Sequence, residues 1–150
     1  MKALIFVVFC SLSLFASLAQ CDDLSPSQRG QIEVKLVALR SWATNAAIVS
    51  AVKAYNAHPS AEARTMTNDK WKSLSPSDLF VRSLRVNKIA DLMLAKKDSS
   101  MRECFISGAD GGKVAFLDKT TYWNHSGLPK HEVPMQGKTW IGELQVDQST

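Results

Sequence analysis

The sequence lacks the motifs that mark the most easily recognised enzymes and binding proteins. It has no cluster of Lys and Arg of the kind that binds nucleic acid. The G-x-S-x-G motif of a nucleophile elbow is absent, and His125 and His131, six residues apart, match no zinc signature. We therefore predict no catalytic residues, no metal, no cofactor and no nucleic-acid partner. A small exported enzyme is the weakest of the functions considered below.

Long apolar runs are also scarce, and the longest one lies at the N-terminus. Lys2 precedes an apolar stretch over residues 3–18 that is too short for a comfortable membrane span and is typical of a secretory signal. Small residues at Ser17 and Ala19 predict cleavage after Ala19. Removal of residues 1–19 takes one lysine and no acid, so the formal charge falls from +4 to +3. The mature chain, residues 20–150, is expected to be one periplasmic or secreted domain without a transmembrane span.

Only two cysteines remain after this cleavage, Cys21 and Cys104. Cys21 follows a segment similar to a bacterial lipoprotein box, but Gln20 stands where that motif has Gly, Ala or Ser, which argues against lipid anchoring. A Cys21–Cys104 disulfide would suit an oxidising compartment. The alternative is two free cysteines, with Cys104 packed as a small hydrophobe. The sequence leaves both states open.

The first half of the mature chain predicts helices. Ser25, Pro26 and Gln28 form the signature of a capped helix start, and three-to-four apolar spacing continues to about Tyr55. A helix of about thirty residues is long for a globular domain, and we expect it to pair with its copy in a homodimer. Residues 57–71 predict a loop in which Thr67 caps a short turn. A second start at 74–78 has Ser75 as N-cap, followed by a helix through Met93.

The second half predicts an antiparallel sheet, and hence an α+β fold. Strands at 102–108 and 113–118 flank an Asp-Gly-Gly turn, and a third strand is predicted over 138–146. Between the second and third strands lies the segment KTTYWNHSGLPKH, residues 119–131. A loop of about twenty residues without secondary structure of its own is uncommon unless it has a function.

These strands and their connecting loop resemble the extracytoplasmic PAS-like sensor domains called Cache domains. The resemblance covers roughly residues 102–150. It rests on the strand–turn–strand CFISGADGGKVAF, on Lys119, Thr120, Tyr122 and Trp123 in the loop, and on Trp140, Gly142, Asp147 and Ser149 after it. It implies a long N-terminal helix, a second helical segment and a five-stranded sheet. Because two of those strands are missing, the natural sequence is expected to continue past Thr150 with a further hairpin.

The resemblance implies ligand binding and no catalysis. In such sensors the loop between the second and third strands closes a site for a carboxylate or an amino acid. The predicted ligand-binding residues here are Lys119, Thr121, Tyr122, Trp123, His125, Lys138 and Trp140. The tryptophans and Tyr122 would form apolar walls, and Lys119 would contact an anion. The simpler interpretation places both tryptophans in the core and Lys119 in solvent.

Two principal functions remain at this point. One is a periplasmic sensory domain for a small carboxylate or amino acid. The other is an exported structural or interaction protein that uses the same fold to dimerise without a small ligand.

Overall fold

The protein is described here by a computed structural model that covers residues 24–101 and 103–142. The predicted signal peptide, Cys21 and the segment 143–150 lie outside the described residues. The elements in chain order are α1 Pro26–Ala43, α2 Ala46–Ala57, α3 Ala61–Thr65, α4 Asn68–Ser73, α5 Leu79–Arg85, α6 Lys88–Leu94, β1 Phe105–Ser107, β2 Lys113–Phe116 and α7 Pro129–Met135. The described chain is thus a mixture of α-helices and one antiparallel hairpin, which agrees with the predicted α+β class. None of the helices in these ranges has the length and apolar character needed to span a membrane.

The start of α1 is the capping box that the sequence predicts. The Gln28 backbone N–H donates to Ser25 Oγ at 3.3 Å, and the Ser25 N–H donates to Gln28 Oε1 at 2.8 Å. Pro26 occupies the first turn, where its missing N–H has no intrahelical partner in any case. The predicted cap at Thr67 is also confirmed, because Thr67 Oγ1 accepts from the Lys70 N–H and starts α4.

The single long helix expected from about Ser25 to Tyr55 is wrong. It is divided at Asn45, whose side-chain oxygen accepts from the N–H groups of Ala47 and Ile48 and starts α2. In a continuous helix these N–H groups would donate to the carbonyls four residues before them. Because they donate to the asparagine side chain instead, one helix ends and the next begins. Apolar spacing alone does not detect such a break.

The second predicted helix is wrong at its start and in its length. Asp78, and not Ser75, caps α5, since Asp78 Oδ1 accepts from the Phe80 N–H. The expected continuation through Met93 is divided at Asn87, which accepts from the N–H groups of Ile89 and Ala90 and starts α6.

Two predicted loops contain helices. Residues 57–71 include α3 and the first part of α4, and α7 begins at Pro129, inside the segment 119–131. The predicted third strand is not formed over Lys138–Gly142, and its remaining residues lie outside the described ranges. The sheet in the described chain therefore has two strands, where three were expected.

The β1–β2 hairpin lies between two apolar clusters. The helix-side cluster combines the end of α1, α2, α6 and one face of the hairpin, and consists of Trp42, Ile48, Ile89, Ala90, Met93, Ala115 and Leu117. The loop-side cluster combines α3, α4, α5, the other face and the segment after β2, and consists of Ala63, Met66, Trp71, Val81, Leu84, Phe116 and Trp123. The hairpin thus separates two differently built interiors.

Candidate functional site

A β-bulge determines which face of the hairpin carries Lys113. Phe105 pairs with Phe116 and Ile106 with Ala115, but Ser107 pairs with Lys113, so Val114 is an extra residue in β2. Without the bulge, alternation along the strand would direct Lys113 and Ala115 to the same face. Instead Ala115 packs in the helix-side cluster, whereas Lys113 contacts Phe105 on the loop side. Bulges commonly re-aim side chains in this way.

Lys113 is a fully buried lysine without a carboxylate partner. Its residue is 0% exposed, and no acidic group of the described chain lies within ion-pair distance of its ammonium. The Nζ atom lies 4.1 Å from the centroid of the Phe105 ring and 3.0 Å from His125 Nδ1. Burial of a cation without an opposite charge is costly, because the ion loses its hydration. This site therefore carries an electrostatic cost that no ion pair with the described residues offsets.

The ionisation of Lys113 reflects that environment. Burial, reinforced by the positive charge of Lys130, lowers the pKa of Lys113 to about 7, while Glu103 and Asp110 act in the opposite direction. The amine is thus poised to gain or lose a proton near neutral pH. A nearby anion would favour the protonated form.

The hairpin turn holds His125 in position. The His125 N–H donates to the Gly111 carbonyl at 3.3 Å, and the Asn124 side chain donates to the Asp110 carbonyl at 2.7 Å. Gly111 has φ +84°, and a Cβ there would lie 2.5 Å from Asn124 Oδ1 and 2.6 Å from the Ser126 nitrogen. Only glycine suits this close approach at positive φ. The hairpin turn and residues 124–126 are therefore in close contact.

His125 is buried and uncharged at neutral pH. It is 3% exposed, and its ring lies 5.0 Å from the Phe105 ring and 6.3 Å from the Tyr122 ring, centroid to centroid. Burial, together with the positive charge of Lys113, lowers the pKa of His125 to about 4. A neutral imidazole offers one donor and one acceptor nitrogen. It serves Lys113 as a hydrogen-bond partner but supplies no counter-charge.

Ser107 adds a second incomplete group on the same face. It lies opposite Lys113 in the hairpin register, and its Oγ is buried without a hydrogen-bond partner in the described chain. Buried hydroxyl groups are nearly always hydrogen-bonded. We call Phe105, Ser107, Lys113 and His125 the Lys113 site. It combines an unneutralised cation, an unpaired hydroxyl and two rings.

The predicted site residues of the segment 119–131 are distributed between core and surface. Trp123 is 2% exposed and packs against Trp71 and Phe80, with centroid distances of 5.4 Å to each. It therefore lies in the loop-side core. Lys119 places its Nζ 4.8 Å from the centroid of the Trp71 ring. The segment is thus held against α4 and α5 by aromatic contacts.

Thr121 and Tyr122 lie on the outside of that segment. Both are exposed, and Lys72 Nζ lies 5.0 Å from the centroid of the Tyr122 ring. Among the predicted residues, only Tyr122 and His125 are in ring contact with each other. A further bond, from Trp71 Nε1 to the Thr120 carbonyl at 2.7 Å, ties the segment to α4.

Lys138 and Trp140 are placed in a different environment. Lys138 is exposed and donates to Gln136, two residues before it. Trp140 is 38% exposed and lines an apolar groove along α1, together with residues that include Leu24 and Leu36. The structure does not bring these two residues into the Lys113 site.

The sequence prediction missed Lys113, Ser107 and Phe105. A lysine beside a Gly-Gly turn is usually solvated, and the bulge that re-aims it depends on tertiary contacts. One signal was available: Lys113 opens an otherwise apolar strand, KVAF. An ionisable residue at the start of an apolar strand is a candidate for burial.

Cys104 and the acidic residues form no alternative centre in the described ranges. Cys104 is half-buried, packs against the helix-side cluster, and has a pKa raised by burial. This arrangement suits a small hydrophobe, while Cys21 lies outside the described residues. Within residues 24–101 and 103–142, no group of three or more His, Cys, Asp or Glu side chains is arranged to hold a metal ion.

The comparisons with known proteins give no relative for this chain. No family model, no curated protein and no solved structure matches it.

Proposed function

We propose that this protein is an exported sensory domain of the Cache, PAS-like type that binds a small carboxylate or amino acid at the Lys113 site. Its role is binding, and no catalytic step is assigned. The proposal combines the resemblance of residues 102–150 with the chemistry of the loop-side face. The segment 119–131 covers that face and would form the lip through which the ligand enters.

A single observation carries this proposal. The Lys113 side chain is fully buried, yet no carboxylate of the described chain neutralises it. Buried charges in proteins are normally paired. A ligand carboxylate beside Nζ would supply an opposite charge, and this pairing would contribute to the free energy of binding. Retaining such a costly group is typical of functional sites.

The groups that line the Lys113 site suit an anion. Of the charged groups that act on Lys113, Lys130 has the largest effect and disfavours a further positive charge, whereas Glu103 and Asp110 act in the opposite direction. Ser107 Oγ has an unused donor on the same face. Phe105 supplies an apolar surface for the carbon skeleton of a ligand. A few fixed polar groups on an apolar wall are typical of small-molecule sites.

The predicted lip residues keep a role in this proposal. Tyr122 is exposed above the His125 ring, and Lys119 lies at the edge of the same segment on the Trp71 ring. Lys119 would guide an anion towards the buried lysine, and Tyr122 would form part of the entrance. Their contribution is expected to be smaller than that of Lys113, because Lys119 is only partly buried and its charge is partly screened by water and salt.

The proposal is tested by thermal-shift and calorimetric titration with acetate, succinate, L-glutamate and L-alanine. A ligand that binds only the folded state raises its melting temperature. Lys113→Met should weaken binding of the responding acid by about 2–5 kcal/mol, because the ligand charge loses its buried partner. Lys53→Met removes an exposed lysine on α2 and serves as the matched control. If Lys113→Met folds and binds as tightly as Lys53→Met, the Lys113 site is not the ligand site.

A second candidate function is supported by the outer face of α1. Residues at alternating spacings of three and four on this face are all exposed and uncharged, namely Ser27, Gly30, Val34, Val37, Ser41 and Thr44. Val34 and Val37 are 68% and 66% exposed. Apolar residues at such spacing pair two helices, and Val34 and Val37 are the apolar residues of this face. It favours a homodimer, and with it the alternative of an interaction protein.

The dimer is tested by sedimentation at tens of micromolar, in the range of ordinary weak association. Val37→Glu on this face should shift the protein to monomer, because two like charges would meet across the seam. Val86→Glu, at a valine that is 69% exposed on α5's C-terminal side, is the control. A wild-type protein that sediments as a strict monomer removes this candidate.

A further inference from the structure

The direction of the hydrogen bond between Lys113 and His125 depends on whether Lys113 is protonated. The two nitrogens are 3.0 Å apart, and both residues are buried. A protonated lysine has only donors, so His125 Nδ1 must then accept and the imidazole proton must occupy Nε2. A neutral amine also has a lone pair, and it allows His125 to carry its proton on Nδ1 instead.

The second nitrogen of His125 is free to meet a ligand. Nε2 has no hydrogen bond to the described residues. The residue as a whole is 3% exposed. The character of Nε2 as donor or acceptor is the property that an entering carboxylate would encounter.

We propose that protonation of Lys113 selects the Nε2–H tautomer of His125, so that the site takes up its carboxylate ligand together with one proton. This inference rests on the proposed function and adds the regulation of the same site. With Lys113 protonated, the ligand meets a buried positive charge and an N–H donor. With Lys113 neutral, the charge is absent and Nε2 is able to present a lone pair, which repels a carboxylate. The proton is taken from solvent and remains on Lys113 while the ligand is bound.

The charged groups around Lys113 set the pH at which this coupling acts. Lys130 on α7 and His131 disfavour a further proton in this region, whereas Glu103 before β1 and Asp110 in the turn favour protonation of Lys113. The Asp110 carboxylate is itself hydrogen-bonded by the Tyr55 hydroxyl at 3.1 Å. Burial, modified by these charges, lowers the pKa of Lys113 to about 7 and that of His125 to about 4, so His125 is neutral above about pH 4. Between pH 6 and 9 the lysine titrates and the imidazole changes only its tautomer.

Nitrogen-15 NMR of histidine-labelled, ligand-free protein tests the first half of this mechanism. His125 should show the Nε2–H pattern at pH 6 and move away from it with a midpoint near 7, the pKa of Lys113. Lys113→Met should abolish this movement, and the exposed His58 gives a reference signal. Lys113→Arg stays protonated across the range, so it should hold the Nε2–H pattern throughout. A wild-type His125 spectrum that does not change between pH 6 and 9 would overturn the inference.

Titration with succinate and with L-glutamate at several pH values tests the second half. Above the midpoint the affinity should fall about tenfold per pH unit, because the fraction of protein that is competent to bind falls by that factor. Calorimetry in buffers of different ionisation enthalpy should show close to one proton taken up per ligand at pH 8.5. Lys113→Arg should lose most of this pH dependence.

The two proposals fail in different ways. Equal affinity at pH 6 and pH 9 would contradict proton uptake while leaving carboxylate binding in place. Absence of binding by every acid at pH 6 would contradict the proposed function and the ligand step of this inference, whatever the NMR result.

Discussion

The two faces of the β1–β2 hairpin are built on different principles. On the helix side, Ala115 packs against apolar side chains of α2 and α6, and the unpaired polar atom there is the uncharged indole N–H of Trp42. On the loop side, aromatic packing surrounds Lys113, His125 and the unpaired hydroxyl of Ser107. One face is thus an ordinary apolar core, and the other contains buried polar groups that the described chain leaves incomplete.

This difference follows from a single inserted residue in β2. Because Val114 is extra in β2, Lys113 leaves the helix-side face and joins Phe116 on the loop side. The helix side is then free to pack tightly. The loop side carries the cost of a buried cation, which a ligand would relieve.

The largest effect is expected from removal of Trp71 on the loop side. Trp71 is 0% exposed, packs on Trp123 and Phe116, and donates to the Thr120 carbonyl. Trp71→Ala should lower the free energy of unfolding by about 3–5 kcal/mol, measured by urea denaturation, because it leaves a large cavity. Trp140→Ala, at a partly exposed tryptophan, is the control and should cost clearly less. Equal losses of unfolding free energy in Trp71→Ala and Trp140→Ala would show that Trp71 is not buried in a loop-side core.

The next largest effect is expected from a helix-side substitution that lowers stability without changing ligand affinity. Met93 is fully buried in the helix-side cluster. Met93→Ala should cost about 2–5 kcal/mol of stability, measured by the same denaturation. Its affinity for succinate or L-glutamate should remain that of the wild type at temperatures where it is folded. A large loss of affinity in the folded variant would show that the two faces are not independent.

A smaller effect should appear as a pH dependence of stability. Lys113 binds its proton less tightly in the folded state, where its pKa is about 7, than in the unfolded chain, where the reference value is 10.5. Between these values the unfolded state holds more protons, so stability should rise with pH, by at most about 1.4 kcal/mol per unit. Below pH 7 the full penalty is present. Urea denaturation of wild type and Lys113→Met between pH 7 and 9.5 checks this.

In Lys113→Met the rise over that interval should be lost, and below pH 7 the variant should be at least as stable as the wild type. Replacement of a buried unpaired cation by an apolar side chain of similar length removes a cost. A wild type and variant with parallel pH profiles would place Lys113 in contact with water.

The smallest effect is expected at Lys119. Its ammonium lies over the Trp71 ring, and such contacts contribute about 0.5–1 kcal/mol at accessible sites. Lys119→Ala should lower the unfolding free energy by no more than this, as seen in denaturation curves. In calorimetric titration it should weaken carboxylate binding less than Lys113→Met does. The reverse order would move the anion contact from the buried site to the lip.

Features set by local chemistry were predictable from the sequence. The capping box of Ser25 and Gln28, the Thr67 cap and the hairpin around the Asp-Gly-Gly turn each depend on residues close together in the chain. The mixed α and β content followed from the order of helical and strand patterns. Proximity in sequence is what these features share.

Two further local features and one set by tertiary contact were missed. Asn45 and Asn87 interrupt apolar spacing that runs on past them, because each side chain accepts from backbone N–H groups two and three residues ahead, which a search for apolar spacing does not detect. The bulge at Val114 and the burial of Lys113 depend on the register of β1 against β2 and on the segment that covers them. The burial of Lys113 and its contact with His125 were therefore overlooked, although His125 itself was among the predicted residues.

The proposed contact between Lys113 and the carboxylate of a small ligand is tested most directly by calorimetric titration of succinate and L-glutamate at pH 6.5. The titrations use wild type, Lys113→Met and Lys113→Arg, each first shown to be folded by its thermal transition. We expect saturable binding of at least one acid to wild type, retention of binding in Lys113→Arg, and a loss of about 2–5 kcal/mol in Lys113→Met. Wild-type affinity in folded Lys113→Met would contradict the proposed contact.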